Sequence, residues 1–534
     1  MIATPSRREA IAVGVVLIAT IVVVFLIRRP GHWWGDDWAL YVRQAESVLS
    51  GGIGDVVADN RFTVERSGLP EFSTPMYPWG FPLLLSPFVA VLGTDLDRLV
   101  IAQAIFFCWF LAVWYRLARP RVGLGLAMGG LVVIALSPQF VRWAELIQSE
   151  VAFMAVAVTG LVVLDSRRVR QSLVTAGAPW WPPVTAGVVA AGAFTVRREG
   201  LAVIGAIGVA QVVALSPLSP LSPLPRLPRL PPGAGTRRFA SEVWALVRPL
   251  LGRLAVPFVA ALGTIGVLQV VLPSTLVPSY EGTGLVNVVR FAPEHLGHVM
   301  ESVGLQRVGT DGPTVLGSSA LGVLAVVVFL TLVAMGIALA VWRHPRRELP
   351  IVAFTVAALL IGGSFRTPGS RYVAIIAPMV MIFALVALRE LSRRLPRRRA
   401  GAAVALALVA ALAIGNLVQV VNLATAAREF ARDGSVVWGP DHPDSVEMFA
   451  AVERLTEPDD VIGFFKARSM TQRTDRRAIQ VTELHPVERN ADVLTHVVLQ
   501  NTADDAFTVA TDRGRYTELW SNPTFTLHQL TPTN

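Results

Sequence analysis

The sequence predicts a polytopic α-helical membrane protein that carries a small α/β domain at its C-terminal end. Of its 534 residues, 53% are hydrophobic and 16% are charged, whereas soluble proteins are about 25% charged. Apolar runs recur along residues 1–422, and residues 423–534 return to the charged content of a soluble protein. These observations exclude a disordered chain and an ordinary soluble enzyme. The single cysteine, Cys108, excludes a disulfide framework.

Eleven apolar runs are candidate membrane spans, since a crossing helix needs about 20 apolar residues. The first run lacks a small-residue cleavage site before Arg28, so it predicts a retained anchor rather than a signal peptide. The candidate spans are 10–27, 98–115, 123–138, 149–165, 184–197, 200–214, 250–272, 315–342, 349–364, 370–388 and 401–422.

The distribution of arginine predicts the orientation in the membrane. With the N-terminus in the cytoplasm and the spans alternating, the inside segments of residues 1–422 hold 23 arginines and 5 acidic residues, and the outside segments hold 13 and 16. We therefore expect a multi-pass protein of the cell membrane with residues 423–534 outside. Topology and anionic lipid account for the net charge of +9, so no nucleic-acid partner is predicted.

The predicted cytoplasmic loop, 215–249, is rich in proline and arginine. Its first part, 215–232, reads LSPLSPLSPLPRLPRLPP. A proline at every third position favours the polyproline II conformation. A stiff spacer is therefore favoured over a ligand for an SH3-like domain.

Two adjacent carboxylates, Asp36 and Asp37, follow the first span within a predicted external loop, 31–97. The segment 37–50 has the apolar spacing of an amphipathic helix lying in the membrane interface. A second interfacial helix is predicted after Tyr77, because its apolar stretch is too short to span. Aspartates at a helix start are ordinary caps, so capping and chemistry both stay open for this pair.

Arginines recur at the predicted outer boundary, where they oppose the inside bias. Snorkelling or salt bridges to Glu145, Glu150 or Glu199 would explain them. A phosphate site would also explain them, because guanidinium groups match phosphate oxygens. The five arginines are Arg142, Arg197, Arg198, Arg366 and Arg371.

Several motifs resemble the GT-C superfamily of membrane glycosyltransferases, which take sugars from polyprenyl-phosphate carriers. Within this superfamily, the motifs most resemble the bacterial branch that is related to protein O-mannosyltransferases and the lipid A aminoarabinose transferase. The likeness covers most of the chain, and the motifs share one order and one side. They are Asp36 to Tyr41, Tyr77 to Pro87, Ser137-Pro138, Ser149-Glu150, Arg198-Glu199-Gly200, Arg371-Tyr372 with Pro378, Phe464 to Arg468, and Arg476-Arg477.

The resemblance implies a GT-C fold of about eleven transmembrane helices with two interfacial helices in the first external loop. It also implies transfer of a sugar, with inversion, to an acceptor hydroxyl of a glycan, lipid or protein. Asp36 is the first candidate for the base and Asp37 the second, since the family commonly has Asp-Glu there. The expected phosphate ligands are Arg371, Arg366, Arg198 and Arg197, and the expected pocket residues are Tyr41, Trp79, Glu150, Tyr372 and Lys466.

The sequence does not decide whether a metal ion is used or which sugar is transferred. It also leaves a function other than transfer open. No cofactor is predicted, although some relatives use a divalent cation; His295 and His298 alone are too few for a zinc site. The residue usage suggests an actinobacterial source, where a mannosyl or arabinosyl donor would fit. The alternative functions are a transporter or flippase for lipid-linked glycans and an inactive assembly factor.

The C-terminal segment alternates helix and strand patterns, which predicts a small α/β domain. The predicted helix is 444–455, and the predicted strands are 461–465, 493–500 and 524–530. Lys466 follows the end of the first strand, where ligands often bind. The domain is expected to cover the membrane site, to hold the acceptor, or to act as a stabilising cap.

Overall fold

The computed structural model is mostly helical. It describes residues 6–67, 77–175, 177–215, 248–272, 284–305, 307–309, 312–314, 320–373, 375–482, 484–501 and 515–531. The predicted cytoplasmic loop 215–249 lies outside the described residues except at its ends.

The first half of the chain forms eleven α-helices among the described residues. They are α1 (Arg7–Ile27), α2 (Asp37–Ser50), α3 (Ile53–Arg66), α4 (Gly80–Leu92), α5 (Leu96–Val122), α6 (Leu124–Ala135), α7 (Pro138–Ala144), α8 (Glu150–Asp165), α9 (Arg167–Ser172), α10 (Trp181–Val196) and α11 (Leu201–Leu215). Helices α2 and α4 match the two predicted interfacial helices, and a 3₁₀ turn, Arg198–Gly200, joins α10 to α11.

The second half adds further helices and all the strands that the structure describes. The helices are α12 (Leu251–Val271), α13 (Leu285–Arg290), α14 (Ala292–Ser302), α15 (Ala320–Arg343), α16 (Pro345–Gly363), α17 (Ser370–Val373), α18 (Ile376–Arg394), α19 (Arg398–Arg432), α20 (Pro443–Leu455), α21 (Ala467–Thr474) and α22 (Leu484–Arg489). The strands are β1 (Arg307–Gly309), β2 (Gly312–Thr314), β3 (Val461–Phe464), β4 (Arg477–Gln480), β5 (His496–Gln500), β6 (Tyr516–Ser521) and β7 (Phe525–Leu530).

The apolar helices make this a multi-pass membrane protein. Within the described ranges, six helical segments are long and apolar enough to cross a membrane, and the pair α6–α7, bent by 58°, would be a seventh. Every predicted span overlaps described helices, but 370–388 covers two of them, α17 and α18, and α8 and α10 have only 16 residues each. The count of eleven spans therefore stays a prediction.

The helices share one apolar core. Aromatic side chains fill its centre, where Phe107, Phe110 and Phe140 lie within 6.5 Å of one another, centroid to centroid. Each of these side chains is fully buried. The first residue of α4, Gly80, lies against the backbone of Thr195 and Val196 at the end of α10. This close approach fixes α4 beside the connection that carries Arg197 and Arg198.

The C-terminal sheet has five strands in the order β4-β3-β5-β7-β6. Strand β3 pairs in parallel with β4 and β5, while β5, β7 and β6 pair antiparallel. Three strands and α20 match the predicted elements. Strands β4 and β6 were not predicted. Strand β4 is too short to show a clear pattern, since it has four residues, RAIQ, and the alternation in β6 is interrupted by a register shift between Glu518 and Trp520.

The sheet packs on the loop 31–97, which the sequence predicts to be external, rather than standing apart from it. The Thr63 hydroxyl of α3 donates to the Ala478 carbonyl of β4 at 2.8 Å. The Val437 amide donates to the Pro30 carbonyl at 2.9 Å. The sheet and α21, here called the C-terminal layer, thus lie together with this loop above the ends of the apolar helices.

Candidate active site

Helix α2 places the two aspartates differently. Asp36 precedes the helix, but its side chain makes no capping hydrogen bond. Asp37, the first helical residue, accepts a hydrogen bond from the Tyr77 hydroxyl at Oδ1 (2.6 Å) and one from Arg371 Nη1 at Oδ2 (2.7 Å). Burial acts to raise the pKa of Asp37, but the Arg371 charge and these hydrogen bonds outweigh it and lower the pKa. Asp37 is therefore a fixed anion.

Asp36 lies on the other side of the helix start, against α21. Its residue is 9% exposed, and its Oδ1 is 3.5 Å from the Ser469 hydroxyl. Among the described residues, its Oδ2 is buried without a hydrogen-bond partner. Burial raises the pKa of Asp36, and the charges of Arg468 and Lys466 offset this only in part. Asp36 thus holds an available lone pair and an increased basicity.

Arg197 joins three elements at the same end of the bundle. Its Nη1 donates to Glu150 Oε1 at 2.7 Å and to the Ser149 hydroxyl at 3.2 Å. Its Nη2 donates to Glu199 Oε1 at 2.8 Å. Glu150 is also 3.9 Å from Arg371 Nε. The two arginines therefore share one buried carboxylate.

A small cavity of about 70 Å³ opens between these side chains. Six of the predicted site residues line it: Asp37, Tyr41, Arg197, Arg198, Arg371 and Tyr372. Six further residues line it that were not among the predicted site residues: Tyr77, Pro78, Ser149 and Glu199, which lie in the quoted motifs, and Val196 and Phe365, for which no sequence signal was found. Phe365 stacks on Tyr372, with ring centroids 4.2 Å apart. The cavity thus combines three guanidinium groups with aromatic walls.

Five predicted site residues do not line this cavity: Asp36, Trp79, Glu150, Arg366 and Lys466. Trp79 is fully buried in the apolar core. Glu150 acts through its ion pairs, and Arg366 is exposed. Lys466 precedes α21, with its Nζ 5.9 Å from the centroid of the Phe465 ring. Arg371 lines the cavity, whereas Arg366, five positions earlier, does not.

Arg468 was not predicted as a site residue, yet it ties the C-terminal layer to the cavity. Its Nε donates to Asn60 Oδ1 at 2.7 Å, and its Nη1 donates to the Tyr77 hydroxyl at 2.9 Å. The Tyr77 hydroxyl in turn donates to Asp37. The sequence signals for Arg468 are its place just after the β3 strand end and its position at the end of the Phe464–Arg468 motif. Its partners are hundreds of positions away in the chain.

Metal-ligating side chains do not gather in the described part of the chain. No group of three or more His, Cys, Asp or Glu side chains there could hold an ion. His295 instead lies against the Gly363 carbonyl, with Nε2 3.2 Å from the oxygen. Its position indicates a structural role on α14.

Comparisons with known proteins identify the fold. No family model matches the sequence, and no curated protein matches it. ArnT from Cupriavidus metallidurans bound to undecaprenyl phosphate superposes with a TM-score of 0.55 at 13% identity, covering 97% of both chains. Its apo state gives 0.56 at 12% identity. The archaeal oligosaccharyltransferase AglB from Archaeoglobus fulgidus, in complex with an inhibitory peptide and a dolichol-phosphate, gives 0.52 at 14% identity, covering 93% of this chain and 70% of AglB.

These solved structures are GT-C superfamily membrane glycosyltransferases. The likeness extends over nearly the whole chain, so it includes the helical bundle, the first external loop and the C-terminal layer. This chain therefore has the GT-C fold, and the resemblance predicted from its motifs is confirmed at the level of the fold.

Proposed function

We propose that the protein is a glycosyltransferase that moves a sugar from a polyprenyl-phosphate carrier to an acceptor hydroxyl at the outer face of the cytoplasmic membrane. One observation carries the proposal: Asp36, a carboxylate with an unpaired buried oxygen, immediately precedes Asp37 on the lining of an arginine-rich cavity in a GT-C fold. The solved proteins of this fold were captured with undecaprenyl phosphate and with a dolichol-phosphate. Those ligands support a lipid-linked donor here.

The arginines are suited to the leaving phosphate. Breaking the bond to the anomeric carbon places negative charge on the phosphate, and guanidinium groups stabilise it best when they are already in position. Arg371 and Arg197 are held by Asp37, Glu150 and Glu199. Arg198 adds a third positive charge to the lining. A phosphate that enters the cavity would take the place of one of these carboxylates as the partner of an arginine.

Asp36 is suited to take the proton of the acceptor hydroxyl. A general base needs a free lone pair within about 3 Å of the hydroxyl and a pKa near the working pH. Asp36 Oδ2 has the lone pair, and burial raises its pKa. Inversion requires attack from the face opposite the phosphate. Asp36 lies on the α21 side of the start of α2, and Arg371 lies on the cavity side. The proposed base and the proposed phosphate ligand are therefore on different sides of this helix start, as inversion requires.

Asp37 is proposed as a positioning residue and the second candidate for the base. Both of its oxygens are already engaged, by Tyr77 and Arg371. Its lowered pKa makes it the weaker base of the pair. Tyr41 and Tyr372 would contact the sugar, while Trp79 supports them from the core. Lys466 would face the acceptor, because it lies on the Asp36 side of the helix start.

The test is sugar transfer by the purified protein in lipid, with a panel of labelled polyprenyl-phosphate sugars that includes mannosyl and arabinosyl donors. Asp36→Asn is expected to lower the turnover by at least 100-fold with the fold intact. Asp55→Asn, an exposed acid of α3, is the matched control and keeps full activity. Transport of a lipid-linked glycan that survives Asp36→Asn, with no transfer from any donor, would establish the transporter alternative instead.

A further inference from the structure

A second and much larger cavity lies at the end of the helical bundle away from the candidate active site. Its volume is about 1040 Å³. Helix α8 connects the two regions: it begins with Glu150 beside Arg197 and ends with Asp165 on the large cavity. Fifteen residues of α-helix separate these acids, a rise of about 22 Å. The large cavity is therefore a separate feature.

The lining of this cavity has an apolar part and a basic part. Helices α1 and α5 supply an apolar strip that includes Val13, Leu17, Ala112 and Val113. The basic part has five arginines and two acids, an excess of three positive charges. The arginines are Arg116, Arg119, Arg167, Arg170 and Arg347, and the acids are Glu9 and Asp165.

Two of these arginines have no acidic partner. Arg119 pairs with Glu9 at 3.0 Å, while Arg170 and Arg347 share Asp165 at 3.4 and 2.8 Å. Within the described ranges, neither Arg116 nor Arg167 has an ion pair within 4.0 Å, and both are exposed. The cavity therefore presents two uncompensated guanidinium groups beside apolar side chains.

We infer that this cavity binds the phosphate head group of an anionic glycerophospholipid, with an acyl chain along the α1–α5 strip. Guanidinium groups recognise phosphate oxygens through paired hydrogen bonds. The volume is at the upper end for a ligand site, which leaves room for the glycerol and the start of a chain. A soluble phosphoester would satisfy the arginines but leave the apolar strip facing water. The proposal does not depend on sugar transfer.

The experiment measures lipid retained by the full chain in a zwitterionic detergent, using native mass spectrometry with added phosphatidylglycerol or phosphatidylcholine. The unchanged chain is expected to retain phosphatidylglycerol at least tenfold more tightly than phosphatidylcholine. The double variant Arg116→Gln/Arg167→Gln is expected to lose this preference. Its matched control, Arg397→Gln/Arg399→Gln, removes the same charge from exposed arginines outside the cavity and should keep the preference.

A second variant tests the apolar strip without touching charge. Val13→Trp would fill the space along α1 and is expected to weaken phosphatidylglycerol retention while the arginines remain. Equal retention by the unchanged chain and the Arg116/Arg167 double variant overturns the proposal, as does equal loss in the Arg397/Arg399 control. Displacement of the lipid by millimolar glycerol 1-phosphate would overturn it in favour of a soluble phosphoester.

Discussion

At the scale of single residues, two neighbouring aspartates acquire opposite properties because they face different surroundings. Asp37 is held by Tyr77 and Arg371, which lower its pKa. Asp36 is buried against α21 with one oxygen unpaired, and its pKa is raised. Divergent pKa values in adjacent carboxyl groups are typical of sites that divide acid–base and electrostatic work.

This difference predicts the pH dependence of transfer. A base must be deprotonated, so kcat/KM should rise with pH through the pKa of Asp36 and then level off. The negative charge of Asp37 contributes to raising that pKa. Asp37→Asn removes this charge, so the acid limb of the residual activity should move to lower pH. A pH–rate profile of the variant measures the shift.

The same profile of Asp55→Asn is the control and should superpose on that of the unchanged chain. A limb that stays in place, or moves to higher pH, in Asp37→Asn would contradict the assignment of Asp36 as the titrating base. Complete loss of the limb in Asp37→Asn would favour Asp37 itself as the base.

At the scale of elements, close helix contacts hold the arginines in position. Gly80 begins α4 directly on the backbone of Thr195 and Val196, next to Arg197. A Cβ atom at this position would clash with backbone atoms of Thr195 and Val196, which cannot move aside as a flexible side chain could. The packing of one small residue therefore determines where the Arg197 connection lies.

Gly80→Ala is expected to push α4 away from α10. Overpacking of this kind costs about 1–3 kcal/mol, and the displaced Arg197 should raise the KM for the donor. Thermal unfolding and donor kinetics measure the two effects. Gly54→Ala, on α3 where nothing lies within 4 Å of the added carbon, is the control. An unchanged melting temperature in Gly80→Ala would show that the contact is not needed.

A buried ion network joins α5, α8 and α16 at the opposite end. Arg121 donates to Asp165 at 3.1 Å and to Glu348 at 2.9 Å, and all three side chains are at most 4% exposed. Removing one partner of a buried network leaves charges uncompensated, at a cost of about 3–5 kcal/mol. Arg121→Met should therefore lower the free energy of unfolding by about that amount in denaturant titrations.

The control for this variant is Arg116→Met, which removes an exposed arginine from the same helix. In a zwitterionic detergent without anionic lipid it should change the unfolding free energy little. Equal losses in the two variants would mean that charge number, rather than the buried network, stabilises this end.

The sequence predicts most helices and strands, but it does not predict which side chains contact one another in the candidate active site. Apolar runs mark the helices directly, and the acidic pair and the outer arginines stand out because charge is rare in such runs. Which arginine reaches the cavity depends on local backbone direction, so Arg371 and Arg366 could not be ranked by position alone. The hydrogen bonds from Arg468 to Tyr77 and from Tyr77 to Asp37 join residues far apart in the sequence, so no local sequence pattern predicts them.

At the scale of the whole molecule, the C-terminal layer and the first external loop close over one end of the bundle. Asp441 accepts from the His32 amide at 3.1 Å, and Arg468 reaches Asn60 and Tyr77. The layer therefore completes the site rather than extending from it. The candidate active site and the C-terminal layer must lie on one side of the membrane, with the arginine-rich helix ends on the other.

The arginine distribution predicts which side is which, and labelling of single cysteines tests it. In a Cys108→Ala background, Glu457→Cys lies in the C-terminal layer and Arg399→Cys lies at the start of α19; both positions are exposed. A membrane-impermeant maleimide added to intact cells should label the first and spare the second, and permeabilised cells should label both. The reverse pattern would invert the topology and place the acceptor in the cytoplasm.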